Sequence, residues 1–180
     1  MDKHFPTHGN WGGLSLGEVS TVWLAFILSQ GDHRLSHVQP WAEARLHLLS
    51  GWLGYPARGL DFTDDRLAAV LDALSDDQAW EVFEAALTGG LLRTYDLSPS
   101  RVRVDSTTAK GYVEVSDAGL LQFGPSKDHR PDLPQVKINL STLDPRGLPV
   151  STTVVSGNGP MIRCMCPRSA RSKPRWGNAG

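Results

Sequence analysis

Apolar residues recur every three or four positions through the first 95 residues, the spacing that places side chains on one face of a helix. The clearest run is Leu67, Val70, Leu71 and Leu74. We expect helices over residues 15–30, 41–49, 63–74 and 75–90. The pattern therefore predicts that residues 1–95 form a helical N-terminal region in which several amphipathic helices pack as a bundle.

Capping sequences predict where two of these helices begin. Ser15-Leu16-Gly17-Glu18 has the form of a capping box, in which the serine oxygen accepts a backbone N–H and the glutamate reaches back to the serine N–H. Ser75-Asp76-Asp77-Gln78 has the same form, so we expect Ser75 to cap the fourth helix. Gly31 is predicted to end the first helix, and Gly89-Gly90 the fourth.

Beyond residue 95 the helical spacing gives way to β-rich runs. These runs are separated by good turn sequences, among them Asp144-Pro145-Arg146-Gly147. The predicted strands cover residues 101–106, 112–115, 120–123, 136–143 and 148–155. The expected fold class is therefore α+β, a helical region followed by an antiparallel β-meander.

Asp105 is the residue for which this pattern suggests chemistry. Valines alternate with charged residues over Arg101–Ser106, so Asp105 shares a strand face with Arg101 and Arg103. We expect it at the end of the strand, where a rigidly held carboxylate reaches solvent, as a metal ligand for phosphoryl transfer must. A solvated aspartate at a strand end or turn is the alternative interpretation.

Composition and charge set the broad class. The chain is 40% hydrophobic and 21% charged, which is typical of a globular protein. Its start is polar, and the apolar run Val22–Leu28 is far shorter than the roughly 20 residues that span a bilayer, so we expect a cytoplasmic protein without membrane partners. The net charge of −1 gives no general nucleic-acid signature, and DNA binding would require a local basic patch.

Four segments, in order along the chain, resemble a known family. They are Leu28–Leu35, Leu60–Leu67, Val104–Thr108 and the stretch from Gln122-Phe123-Gly124 to Asp132. Together they are similar to the bacterial insertion-sequence transposases of the DDE type, in the branch of the insertion-sequence-four superfamily that has an RNase H-like core. The resemblance extends from about Leu14 to Pro160.

The resemblance implies that residues 96–160 are the first half of an RNase H-like core, with Asp105 on its first, central strand. Asp105 would be the first of three catalytic acids that hold Mg²⁺, and the other two lie beyond the point where this chain stops. Intact members cut and join DNA at insertion-sequence ends by metal-dependent phosphoryl transfer. Asp105 alone cannot balance two metal ions, so we expect this chain to be a truncated, catalytically inactive transposase.

Residues 161–180 differ in character from the rest of the chain. Residues 1–160 hold 13 Lys and Arg against 19 Asp and Glu, whereas the last 20 hold five basic residues, no acid and both cysteines. The codons that Met161–Pro167 require, read one base earlier, can spell Asp-Asp-Pro-Leu-Tyr-Val-Pro, with which family members continue. We therefore interpret residues 161–180 as a disordered, out-of-frame tail that follows a frameshift near Pro160.

The segment Ser126–Asp132 carries a second group of candidate residues. Lys127, His129 and Arg130 are positioned in sequence to bind DNA phosphates near the metal ligands. The alternative is an ion-paired turn, with Lys127 paired to Asp128 and Arg130 to Asp132.

The role of the helical region stays open at this stage. In resembling transposases the corresponding region binds the DNA ends or mediates self-association. His33, Arg34 and His37 form a cluster that can contact phosphate, although polar interhelix loops are common. A non-catalytic module that binds DNA, or a full-length transposase, through this region is the alternative to a catalytic remnant.

Overall fold

The computed structural model describes residues 1–98, 101–126 and 129–159 of the chain. The helices are α1 (Leu16–Gln30), α2 (Val38–Glu43), α3 (Leu46–Leu53), α4 (Asp64–Leu74) and α5 (Asp77–Thr94), with short 3₁₀ helices at Leu35–His37 and Gly59–Phe62. The strands are β1 (Val102–Lys110), β2 (Gln135–Leu143) and β3 (Leu148–Ser156). The predicted α+β class, helices first and strands second, is confirmed.

The chain divides into two compact units at Gly90, which lies within α5. The helical unit, residues 1–90, has a hydrophobic core contributed by its N-terminal segment, α1, α2, α3, the second 3₁₀ helix and α4. Leu14, Val22, Phe62 and Leu67 are completely buried there. In the described residues no helix is both long and apolar enough to cross a lipid bilayer.

The capping box at the start of α1 forms as predicted. The Glu18 N–H donates to Ser15 Oγ at 3.3 Å, and the Ser15 N–H donates to Glu18 Oε2 at 2.7 Å. Gly31 ends the helix in the left-handed conformation, with φ of 62°, and donates its N–H to the Ile27 carbonyl. Both ends of α1 are therefore set by local chemistry that the sequence shows directly.

The ends of α5 differ from the prediction. Asp76, not Ser75, caps the helix, because the Ala79 N–H donates to Asp76 Oδ1 at 2.9 Å. Ser75 instead ends α4, and its hydroxyl donates to the Asp72 carbonyl at 2.7 Å. The helix also continues through Gly90 to Thr94, because good helix formers follow the glycines.

The helix predicted over residues 41–49 is broken into α2 and α3. Arg45 leaves the helical conformation, with φ of −130° and ψ of 13°. Its guanidinium donates to the Trp41 carbonyl at 3.0 Å and lies 4.8 Å from the centre of the Trp41 ring. The side chain thus satisfies a carbonyl that the helix would otherwise use.

A buried ion-pair network ties the Leu60–Leu67 segment to the N-terminal segment. Asp61 is only 1% exposed and accepts hydrogen bonds from the Arg58 N–H at 2.9 Å and Arg58 Nη2 at 2.8 Å. Arg66 approaches the same carboxylate at 4.0 Å and donates to the carbonyls of Gly12 and Leu14. The Leu60–Leu67 segment therefore has a structural role here.

The sheet is antiparallel, with strand order β1-β2-β3. Asp105 lies opposite Leu140, and Ile138 lies opposite Val154. The turn predicted at residues 144–147 joins β2 to β3, and Gly147 takes the positive φ of 65° that this turn requires.

The strands predicted at residues 112–115 and 120–123 are wrong. Residues 111–121 are irregular, and Gln122 forms only an isolated bridge with Gln135. A turn forms instead, in which the Gly119 N–H donates to the Ser116 carbonyl and Gln122 Nε2 donates to the same oxygen. The Gln122 side chain thus satisfies backbone groups that strand pairing would have used.

Candidate functional site

Asp105 lies in the middle of β1, not at its end. β1 continues five residues further, to Lys110, and every residue of the strand is paired with β2. Within the described residues β1 is an edge strand, because β2 lies between it and β3. The predicted position at the strand end is therefore wrong, and the described sheet does not place Asp105 on a central strand.

The predicted alternation along β1 is present. Arg103 and Asp105 lie opposite Thr142 and Leu140, on one face of the sheet, whereas Val104 lies opposite Ser141 on the other. Alternate residues of a strand share a face, so Arg101 has the same parity. Two guanidinium groups and one carboxylate consequently follow each other along β1 and the residue that precedes it.

The Asp105 side chain is exposed to solvent. Its Oδ1 accepts the N–H of the next residue, Ser106, at 2.8 Å. The Ser106 side chain points to the opposite face, where it is buried and donates to Asn139 Oδ1. The backbone under Asp105 is thereby fixed while the carboxylate remains open to a ligand.

Asp105 suits Mg²⁺ as a single oxygen ligand, but the surrounding donor set does not. In the described ranges, no group of three or more His, Cys, Asp or Glu side chains is close enough to hold a metal ion. Mg²⁺ in phosphoryl-transfer sites takes one or two carboxylates together with substrate oxygens, and two such ions need several acids. The described residues therefore do not fit a two-metal site on their own.

Of the three loop cations, His129 and Arg130 are among the described residues. Lys127 falls outside the described residues. His129 is exposed, has a positive φ of 55°, and donates its N–H to the Ser126 carbonyl at 3.3 Å. Arg130 donates from Nε and Nη2 to the two oxygens of Asp132, each at 2.8 Å.

The bidentate ion pair between Arg130 and Asp132 shifts the pKa values of both residues. Its hydrogen bonds raise the pKa of Arg130 and lower that of the Asp132 carboxyl. Tyr112 also interacts with Arg130, and Lys110 with Asp132, which places the pair near the C-terminal end of β1. Five residues of strand separate that end from Asp105, or about 17 Å at the usual rise.

A cleft at the other end of β1 was not predicted. It has a volume of about 760 Å³ and is lined by Arg101, Arg103, Thr142, Asp144, Pro145 and Gly147. Arg103 Nε donates to Asp144 Oδ2 at 2.8 Å, and the Asp144 N–H donates to the Arg101 carbonyl at 3.0 Å. The shared parity of both arginines with Asp105 was the sequence signal that could have identified it.

The polar cluster after α1 is an internal ion pair. Asp32 accepts the backbone N–H of Arg34 at 3.0 Å and its Nη2 at 2.8 Å, and His37 Nδ1 lies 2.9 Å from the same carboxylate. The hydrogen bonds from Arg34 are the main cause of a lowered Asp32 pKa. Arg34 is therefore already engaged by an acid of its own loop.

The two units differ in charge. Residues 1–90 contain five Lys and Arg against 12 Asp and Glu, whereas residues 91–160 contain eight against seven. Anionic DNA is repelled by the first balance and tolerated by the second.

Comparison of the chain with protein-family models, curated proteins and solved structures finds no match.

Proposed function

We propose that this chain is a truncated insertion-sequence transposase of the DDE type, with Asp105 as the first catalytic acid of an RNase H-like core. The observation that carries the proposal is the exposed Asp105 carboxylate, which lies on a fully paired strand within the segment that resembles the family. A ligand held on a strand is positioned more rigidly than one held on a loop.

In the frame-restored protein, Asp105 would supply one oxygen ligand to Mg²⁺. When bound with its full set of acids, Mg²⁺ supplies charge stabilisation for phosphoryl transfer between DNA strands. The role of this chain's own residues is to hold the Asp105 carboxylate in place through β1–β2 pairing. The other two acids are not among the described residues, so the chain by itself is proposed to be inactive. We also propose that the protein is cytoplasmic.

The nucleotide sequence downstream of codon 157, read in three frames, is the first test. We expect another frame to continue with Asp-Asp-Pro-Leu and to supply an aspartate and a glutamate in a long open reading frame. The frame-restored protein should nick DNA that carries the insertion-sequence end, with Mg²⁺, and Asp105→Asn should abolish the nicking. Asp132→Asn is the matched control, because Asp132 is an exposed acid that is paired with Arg130.

Two results would contradict the proposal. One is the absence of any frame that continues the family sequence. The other is Mg²⁺-dependent nicking by the frame-restored protein that persists in the Asp105→Asn variant. The first result would mean that the tail is part of the native protein, and the second would mean that Asp105 is not a catalytic acid.

A second candidate function is a non-catalytic module that binds other transposase subunits through the helical unit. The exposed apolar side chains of α1 and α3 favour it, since Leu28 is 84% exposed and Trp52 58% exposed. The acidic balance of residues 1–90 favours a protein partner over DNA.

Co-purification with the frame-restored transposase would test this second function. We expect the tagged full chain to retain the transposase and the variant Leu28→Gln/Trp52→Gln to lose it. Leu87→Gln is a matched control, because Leu87 is an exposed apolar residue of α5. Equal retention by all three proteins would exclude this surface.

A further inference from the structure

We propose that Arg101 and Arg103 form a phosphate-binding subsite that holds the backbone of a DNA strand beside Asp105. This inference rests on the proposed function, since it names the residues by which the same site holds its DNA substrate. It adds a second group of cations to those predicted in the loop, of which Arg130 is engaged by Asp132 and Lys127 lies outside the described residues.

The first argument is position. Arg103 and Asp105 are two residues apart on one strand and share a face, so their Cα atoms are about 7 Å apart. Arg130, by contrast, lies near the end of β1 that is about 17 Å away. A DNA phosphate on Arg103 would therefore keep the neighbouring part of the strand within reach of Asp105.

The second argument is the chemistry of the guanidinium groups. Arginine presents a planar fork of N–H donors that matches the oxygens of a phosphate. Arg103 contacts Asp144 through Nε, while 75% of its side chain is exposed, so this contact leaves most of the side chain accessible to a ligand. Asp144 consequently orients the fork without burying it.

The third argument is the shape of the surroundings. The cleft is open and has a volume of about 760 Å³, within the range of roughly 300–1,000 Å³ that ligand pockets occupy. Thr142 lies opposite Arg103 on the same face and adds a hydroxyl donor to the lining. Backbone phosphates are commonly held by this combination of arginine and hydroxyl side chains.

Net charge supports the choice of anion. The cleft is lined by two arginines and one aspartate, a net charge of +1, and Arg146 follows in the adjoining turn. A nucleic-acid backbone is bound through such local positive charge even when the whole protein is neutral or acidic.

Fluorescence anisotropy of a fluorescein-labelled DNA duplex, titrated with the full chain at several salt concentrations, tests the subsite. Arg101→Gln/Arg103→Gln should weaken binding by about tenfold at low salt and reduce the slope of log K against log salt by about two. Arg101→Lys/Arg103→Lys, which keeps the charge, should retain the salt slope. Arg93→Gln, an exposed arginine of α5, should leave binding unchanged.

Each outcome separates the subsite from the proposed function. Binding of the glutamine double variant within twofold of wild type would overturn the subsite and leave DNA binding, and the transposase proposal, in place. A wild-type chain that does not bind the duplex would overturn the subsite and contradict the DNA-binding part of the proposed function. Circular dichroism should be unchanged in every variant, because both arginines are exposed. Should the double variant unfold, the DNA affinity of the single variant Arg101→Gln gives a second measurement.

Discussion

At the scale of single residues, Asp61 shows how a buried charge is compensated by its neighbours. Its carboxylate is almost completely inaccessible, yet it receives three hydrogen bonds from Arg58 and faces Arg66. Gly13, at a φ of 79°, lets the N-terminal segment pass close to this carboxylate where a Cβ would overlap it. The network therefore requires both a special backbone conformation and paired charges.

Asp61→Ala should lower the free energy of unfolding by about 3 kcal/mol, because it leaves the partly buried Arg66 without its counter-charge and the Arg58 N–H without its acceptor. Urea denaturation followed by circular dichroism would measure the change. Asp72→Ala is the matched control in α4, where an exposed acid should matter by less than about 0.5 kcal/mol. Equal effects of the two substitutions would show that the network adds nothing.

The same residue predicts a pH dependence. Burial works to raise the Asp61 pKa, but the hydrogen bonds and charges of Arg58 and Arg66 outweigh it, and the pKa is lowered. The contribution to stability is therefore present above the unfolded-state pKa of about 3.9 and is lost as the pH falls through the lower folded-state pKa.

The stability difference between wild type and Asp61→Asn should accordingly be constant from about pH 5 to pH 7 and shrink below about pH 3.9. Thermal unfolding at a series of pH values would measure this difference. A difference that stays the same, or grows, on acidification would contradict the ion-pair explanation.

At the scale of the elements, the sequence predicted the features that depend on neighbouring residues. The capping box of α1, the glycine that ends it and the turn between β2 and β3 involve residues three or four apart, and all three are present. The cap of α5 was misplaced by one residue. Ser75 and Asp76 can both accept a backbone N–H at the start of a helix, and the spacing of apolar residues does not decide between them.

The failed strands have a different cause. Tyr112 and Val113 have strong β propensity, yet Tyr112 is 87% exposed, and no described strand pairs with this segment. A strand is stabilised by its partners, which a single stretch of sequence does not reveal.

Gly90→Ala should stabilise the protein by about 0.5–1 kcal/mol, because α5 passes through this position and nothing lies within 4 Å of the added Cβ. Thermal or urea denaturation would measure the gain. A loss of stability would show that α5 does not continue past Gly90 in solution, as the sequence pattern alone had predicted.

Gly157→Ala should destabilise the sheet by about 1–3 kcal/mol. The new Cβ would overlap the carbonyl oxygens of Gln122 and Gln135, two residues that are joined by an isolated β-bridge at this point. Gly111→Ala is the control, since its Cβ would meet only Val113 at 3.9 Å. Hydrogen exchange of β2 and β3 should increase in the first variant and stay constant in the second.

At the scale of the whole molecule, charge is unevenly distributed along the chain. The helical unit is strongly acidic, residues 91–160 are nearly balanced, and the last 20 residues carry five basic side chains without an acid. An overall charge of −1 conceals these differences, which is why composition alone gave no indication of the cleft beside β1.

A chain that ends at Pro160 should have a net charge of −6 in place of −1 and elute later from an anion exchanger. Its non-specific DNA binding should weaken, because five cations are removed. The part of the binding that depends on Arg101 and Arg103 should remain, and anisotropy of the shortened chain with and without those arginines would measure it. Complete loss of binding on shortening would assign all DNA contact to the tail.

The candidate site was predictable only in part. Alternation along β1 placed Asp105 on one face with Arg101 and Arg103. The pairing of β1 with β2 confirms this for Arg103 and Asp105. The contact between Arg103 and Asp144 spans 41 residues and depends on how β2 turns into β3, so no local pattern reports it. Arg130 lies near the C-terminal end of β1, about 17 Å along the strand from Asp105, and the spacing in sequence did not indicate this distance.

The edge position of β1 has a practical consequence for handling the protein. Among the described strands β1 pairs only with β2, and a strand that pairs on one side offers its remaining backbone N–H and C=O groups to any other strand, including one from a second copy. Charged side chains on such a strand hinder this pairing because they must first give up water. Such charged side chains are present on β1 at Arg103, Asp105 and Lys110. Neutralising Arg103 or Asp105 should therefore also favour aggregation and inclusion bodies, so those variants are best purified cold and assayed dilute.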